Sequence, residues 1–201
     1  MTSRELTFRC SCGRVRGALH DLGPGRLNRA VCYCDDCQAF ARWLGRQGIV
    51  DTHGGSDIVQ VAQSQVSVSE GRDLLRSMRL SGKGMIRWYT DCCRSPAGNL
   101  MPSHRSPFVG IASASLDAGE GRSLDDVVGK PAGSIFGRYA VGGCPPHVHP
   151  KVPASLVLPT ARFLLGSLVR GGHVPSPYFE GRRPVSAPRV LTVAERDELR
   201  P

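Results

Sequence analysis

The chain has 201 residues, 40 % of them apolar, enough for one folded domain of ordinary size with an appendage. No apolar run is long enough to cross a bilayer as a helix, and 24 glycines with 15 prolines argue for short strands between turns rather than long helices. The formal charge is +9, almost wholly arginine, but the basic residues are scattered, which fits a solvated surface better than a nucleic-acid face.

Residues 5–20 read as a hairpin, with Leu6, Phe8 and Cys10 alternating with polar residues and a turn at Ser11, Cys12 and Gly13. Residues 28–31 read as a short strand and 38–45 as a short helix ended by Gly45. The positive N-terminal end of that helix would lie beside Cys37 and favour its thiolate. A polar, glycine-rich loop at 51–57 carries His53, a candidate proton carrier or fourth metal ligand, with a surface histidine as the plainer reading. Strands are predicted at 58–61, from 66, at 74–80 and at 85–89, the last delivering Cys92 and Cys93. Residues 95–99 read as a turn, and 108–112 as the last strand of an all-β core.

Further on, 124–128 reads as a helical turn and 143–150 as a proline-rich connector. Cys144, His147 and His149 in that connector could bind metal in principle, but a rigid extended link is the better reading. Residues 160–170 carry Ala161, Leu164, Leu165 and Leu168 at helical spacing. Residues 173–190 read as a proline-rich extended strap, and 192–199 as a terminal helix opened by Thr192 with Glu195 behind it. This tail is expected to pack on the β core and cover one side of the site.

Seven of the eight cysteines fall in three groups: Cys10-Ser11-Cys12, Cys32-Tyr33-Cys34-Asp35-Asp36-Cys37 and Cys92-Cys93. Sulfurs one or two residues apart can be aimed at one centre from a tight turn, and the rest of the shell then comes from distant segments. Ordinary burial of cysteine would not concentrate them so. Disulfides need an oxidising compartment, and the stretch 1–7 has no apolar core of a signal peptide, which points to a cytoplasmic protein. The reading is therefore one or two metal ions, zinc by preference. The C-x-C-x-x-C group offers three sulfurs and leaves a fourth position open, the pattern of a catalytic zinc; four protein ligands would make a structural one.

Residues 10–17, Cys10-Ser11-Cys12-Gly13-Arg14-Val15-Arg16-Gly17, resemble the opening C-x-C-G-x-V-x-G of the glutathione-dependent formaldehyde-activating enzyme family, which includes centromere protein V. Cys32-Tyr33-Cys34-Asp35-Asp36-Cys37-Gln38 resembles that family's C-H-C-x-x-C-Q, and Cys93-Arg94-Ser95-Pro96 resembles its C-G-S-P. Order and rough spacing agree over about residues 5–115. The resemblance implies a mainly β, Mss4-like fold of small curled antiparallel sheets with zinc-binding cysteine knuckles. Residues 1–115 would form that domain, and 116–201 a C-terminal extension with one or two short helices packed on it. It also implies two zinc sites, a structural one at Cys10, Cys12 and Cys93 and a catalytic-type one at Cys32, Cys34 and Cys37. Two departures stand out. Thr90 occupies the position of the family's first late cysteine, with Cys92 directly before Cys93, and Tyr33 replaces a frequent histidine on the expected substrate side. Adjacent cysteines in an extended strand point to opposite faces, so Cys92 can complete the structural site only at a bend.

The function this implies is carbon–sulfur lyase or hemithioacetal chemistry on a small thiol or thiol–aldehyde adduct such as S-hydroxymethylglutathione. Arg42, the arginine nearest the middle motif, is the candidate to face an anionic substrate, beside His53. A homodimer is an open arrangement, and no membrane partner is expected. The alternative is a non-catalytic, zinc-stabilised module that binds a protein or, less in keeping with the scattered charge, a nucleic acid.

Overall fold

A computed structural model describes residues 4–200; residues 1–3, the start of the N-terminal stretch read above for a signal peptide, and residue 201 lie outside the described part. The chain is mainly β, with strands β1 (Leu6–Arg9), β2 (Arg16–Leu19), β3 (Leu27–Cys32), β4 (Ser56–Val61), β5 (Val66–Glu70), β6 (Leu75–Arg79) and β7 (Ile86–Thr90) in its first half. There follow β8 (Pro96–Leu100), β9 (Val109–Ala112), β10 (Leu116–Asp117), β11 (Ser134–Ile135), β12 (Phe179–Glu180), β13 (Arg183–Pro184) and β14 (Arg189–Val190). The helices are α1 (Asp35–Leu44), α2 (Leu124–Val128), α3 (Ala154–Val169) and α4 (Val193–Leu199).

A four-stranded sheet runs β10-β1-β2-β5, and an eight-stranded sheet runs β11-β3-β4-β9-β8-β7-β6-β14. The large sheet is antiparallel except at its two edges, where β11 joins β3 and β14 joins β6 in parallel. Both edge strands come from beyond residue 115, so 108–112 is not the last strand the chain adds: β10 also returns to pair with β1.

Strand alternation sorts the side chains of the large sheet onto two faces. On one face Val59, Val61, Trp88, Leu100, Val109 and Ile111 join Leu6, Phe8 and Leu19 of the small sheet in the main core. On the other, Met78 packs with Ala39, Phe40 and Leu44 of α1 and with Leu80 and Leu191. Trp88 of β7 therefore belongs to the main core, while its neighbours Arg87 and Tyr89 turn toward α1, Arg87 over the Phe40 ring at 5.3 Å and Tyr89 edge-on to Trp43 at 4.8 Å.

The predicted turn at 95–99 is a strand, β8, in the interior of the large sheet. Pro96 and Gly98 suggested a turn, but each has a place in a strand. Proline is tolerated as the first residue of a strand, and the β7–β8 pairing is irregular between Trp88 and Tyr89. Gly98 has φ 147, and a Cβ there would come within 2.8 Å of the Tyr178 hydroxyl and 2.9 Å of Val109. The missing side chain makes room for Tyr178, whose hydroxyl donates to the Ala97 carbonyl at 2.7 Å.

Helix α1 begins three residues earlier than predicted and ends at Gly45, which is left-handed at φ 67 as its C-cap. Helix α3 begins six residues earlier than predicted, running through Pro159. That proline deletes one N–H on the exposed side of the helix, so the carbonyl it strands is open to water. Only Leu156, Phe163 and Ser167 of α3 are buried. Val157, Leu158, Leu165, Leu168 and Val169 turn outward and are exposed. Leu165→Glu is expected to change the unfolding free energy by no more than about 0.5 kcal/mol, as for other surface positions. A clearly larger loss in thermal denaturation would mean that a second surface covers this face in solution. Thr192 accepts from the Glu195 amide at 3.2 Å and caps α4 as expected from the sequence.

Candidate metal centres

The first cysteine group forms where two turns meet. Cys10 closes β1, Cys12 sits in the tight turn that follows, and the amides of Gly13 and Val15 point back at Cys10, the latter donating to its Sγ at 3.2 Å. Cys92 and Cys93 lie in the turn between β7 and β8, bent by Arg94 at φ 55, whose amide bonds the Thr90 carbonyl at 2.8 Å. That bend lets adjacent cysteines face one point, which an extended strand forbids. The Ser11 amide donates to Ser95 Oγ at 3.0 Å and ties the two turns together.

Sulfurs ~2.3 Å from one tetrahedral zinc-sized ion lie ~3.8 Å apart along the tetrahedron's edges. The Sγ separations are 3.6 Å for Cys10–Cys12, 3.8 Å for Cys10–Cys92, 3.4 Å for Cys12–Cys92 and 3.8 Å for Cys92–Cys93. All four ligand atoms fall within 4.8 Å of one another. The donor set thus has the size of one ion's shell, with Cys92 as its fourth sulfur. Thr90 stays close: its Oγ1 lies 3.4 Å from Cys93 Sγ. Burial pushes the Cys93 thiol up, but bonds from Ser11, Ser95 and Thr90 outweigh it and bring its pKa down to about 4. Cys92 is pushed up to about 12 by burial first and then by its bond to Cys12.

The second group sits at the start of α1. Cys32 ends β3, Cys34 is the N-cap and Cys37 lies in the first turn, its amide bonded to the Cys34 carbonyl at 3.1 Å. The three Sγ atoms again lie within 4.8 Å of one another, with no fourth Cys, His, Asp or Glu in the cluster among the described residues. Bonds from Cys32 and Cys34 and the charge of Arg87 hold Cys37 well below the usual thiol range, against the effect of burial. The bond to Cys37 and burial lift Cys34 to about 12, although its bond to Cys32 pulls the other way more strongly than either alone. Negative charge in this group therefore gathers on Cys37, in the first turn of α1, where the helix dipole favours it.

Beside the three thiols lies a cavity of about 240 Å³. Period-2 alternation brings Ala30, Cys32, Ile58, Gln60, Arg87, Asn99 and Gly110 to this one face of the large sheet, and Met85, Phe108, Ile135 and Phe136 close it. The lining is mostly apolar.

His53 and Arg42 do not line this cavity. His53 is exposed, its ring Nδ1 3.1 Å from the Val141 carbonyl and its amide donating to Asp51. Arg42 donates to the Leu199 carbonyl at 2.9 Å, so its partner is the C-terminal tail. Tyr33 also turns away from the cavity; its hydroxyl donates to Asp51 at 2.8 Å. Cys144 donates to the Val148 carbonyl at 3.2 Å and, like His147 and His149, belongs to neither metal-holding group. The cation that does reach the cavity is Arg87, which sequence reasoning passed over. Its signal was available in the alternation of β7, which sets Arg87 opposite the core residue Trp88. The tail crosses the start of α1, where Arg200 pairs with Asp35 at 3.2 Å and Asp36 at 3.1 Å.

No helix among the described residues is long and apolar enough to cross a membrane. No curated protein matches the chain. Among solved structures, the chain is similar to the crystal structure of a Rhodobacter sphaeroides protein, a structural-genomics target. The identity is 19 % and the TM-score 0.40, over 62 % of this chain and 96 % of that one. Residues 2–188 match the family described as "Family of unknown function (DUF6151)", and with nearly the whole chain inside that match, the protein belongs to the DUF6151 family.

Proposed function

We propose that the protein is a zinc enzyme of the glutathione-dependent formaldehyde-activating type on an Mss4-like fold. In this reading it makes or breaks the carbon–sulfur bond of a thiol–aldehyde adduct such as S-hydroxymethylglutathione. The observation that carries the proposal is the contrast between the two cysteine groups. One gathers four sulfurs at the junction of two turns; the other gathers three in the wall of an apolar cavity. Four sulfurs complete a structural shell, and three leave a position open. Bound at the three-thiol group, zinc supplies Lewis acidity toward a carbonyl oxygen and an affinity for a substrate thiolate. The chain's own residues do the rest. Cys32, Cys34 and Cys37 hold the ion, the first turn of α1 keeps their charge in place, and the apolar lining from Ile58, Met85, Phe108 and Phe136 keeps water from the adduct. The resemblance of residues 10–17 and 32–38 to that family supports the same reading.

Zinc-loaded protein given glutathione and formaldehyde should consume formaldehyde above the uncatalysed background, and Cys37→Ser should abolish this while the chain stays folded and loses one metal equivalent. No rate with fully loaded protein would remove glutathione and formaldehyde as the substrates. Unfolding of Cys37→Ser would make the three-thiol group structural and the protein a zinc-stabilised binding module.

A further inference from the structure

We infer that the cavity beside the three-thiol group takes a small thiol carrying a carboxylate only a few bonds from its sulfur, with Arg87 and Asn99 as the carboxylate subsite. This rests on the reading of that group as an open metal site, and it narrows the substrate class.

Arg87 is buried, at 3 % exposure, in the middle of a sheet. A cation withdrawn from water so far needs close, well-directed partners. Those it has are distant. Nη1 lies 4.0 Å from Cys37 Sγ and 3.5 Å from Asn99 Oδ1, and Nη2 lies 3.9 Å from Asp36 Oδ2. Asp36 is the one carboxylate among these, and it already bonds Arg200 at the shorter distance of 3.1 Å. The remaining contact is the face of Phe40, which attracts the cation but accepts no directed hydrogen bond. A guanidinium is a planar fork of donors suited to two parallel bonds to a carboxylate. Arg87 lines the cavity together with Asn99, and its nearest polar contacts, at 3.5–4.0 Å, leave room for a closer anionic partner.

The rest of the lining limits what that carboxylate belongs to. Ala30, Ile58, Met85, Phe108, Ile135 and Phe136 offer no hydrogen bonds from their side chains, and Gln60 is the remaining polar side chain away from Asp36 and the cysteines. At about 240 Å³ the space is smaller than the roughly 300–1,000 Å³ of sites for drug-sized ligands. The closeness of Arg87 to Cys37 sets the spacing. A ligand sulfur directed at the thiol group and a carboxylate directed at Arg87 must lie near each other, as in a 2- or 3-mercapto carboxylic acid or its aldehyde adduct.

The test is calorimetric binding of mercaptoacetate and of 2-mercaptoethanol, a neutral thiol of similar size, to the zinc-loaded full chain, with metal content checked afterwards. Mercaptoacetate should bind about tenfold tighter or more, the scale of a charge-assisted bond to a buried cation, and Arg87→Gln should bring the ratio near one. Equal binding of the two thiols by the unaltered chain would overturn the carboxylate subsite while leaving the open thiol position in place. That comparison needs no variant and stands even if Arg87→Gln does not fold. Binding of neither thiol to protein that retains both metals would overturn the open-site reading and this inference with it.

Discussion

Cys92→Ser should release one metal equivalent and lower the unfolding free energy by more than about 4 kcal/mol, the range reserved for losses such as a metal site. At the usual scale for a chain of this length that is a fall of roughly 10 °C or more in melting temperature. The expectation follows from what the four sulfurs connect. Cys10 and Cys12 belong to the hairpin of the small sheet, and Cys92 and Cys93 to the β7–β8 turn of the large one. An ion at their centre joins the two sheets directly, and its binding energy is then folding energy, because the unfolded chain offers no such site. Serine keeps the volume but is a poor ligand, and the nearest replacement donor, Thr90, bonds Cys93 from one side. Metal content by elemental analysis and a thermal melt of the same sample would check both halves. Two metals retained with an unchanged melting temperature would show that Cys92 lies outside the shell, leaving its site to three sulfurs.

The second large effect is expected at Trp88. Trp88→Ala should cost roughly 3–5 kcal/mol, the range for emptying a fully buried aromatic site. Trp88 is entirely buried, and its ring packs against Tyr178 at 5.3 Å and Phe179 at 6.4 Å. Both partners come from the proline-rich strap some ninety residues later, so the cavity would loosen the strap as well as the sheet. Trp88→Phe should cost much less. The indole Nε1 is buried with no hydrogen-bond partner, so phenylalanine gives up area but no bond, and relieves an unsatisfied donor. Denaturant unfolding of the two variants separates these contributions, and similar losses in both would mean that the indole nitrogen has a partner in solution.

The two predictions also mark where the sequence was legible. The Leu6–Phe8–Cys10 alternation, Gly45 as a helix stop and the Thr192–Glu195 cap are local signals, and each element they announce is present. The strand at 96–100 was hidden because proline and glycine carry the same local meaning in a turn and in a strand that must admit a distant side chain, and Tyr178 is that side chain. The full length of α3 was hidden by Pro159, whose effect depends on which side of the helix meets water.

For the candidate site, spacing marked all seven clustered cysteines as candidate ligands, and all seven fall in the two groups that could hold an ion. Their division into a group of four and a group of three depends on which distant turns meet. That is decided by the Arg94 bend and the Ser11–Ser95 bond. The choice of cation followed the same logic. Arg42 is nearest to the cysteines along the chain, yet it serves the C-terminal tail, while Arg87, fifty residues from Cys37, shares a sheet face with the three thiols. Chain neighbourhood determines which atoms can be gathered by one turn. Which side chains face one another across a cavity is set by strand register, and register emerges only when the whole sheet has formed.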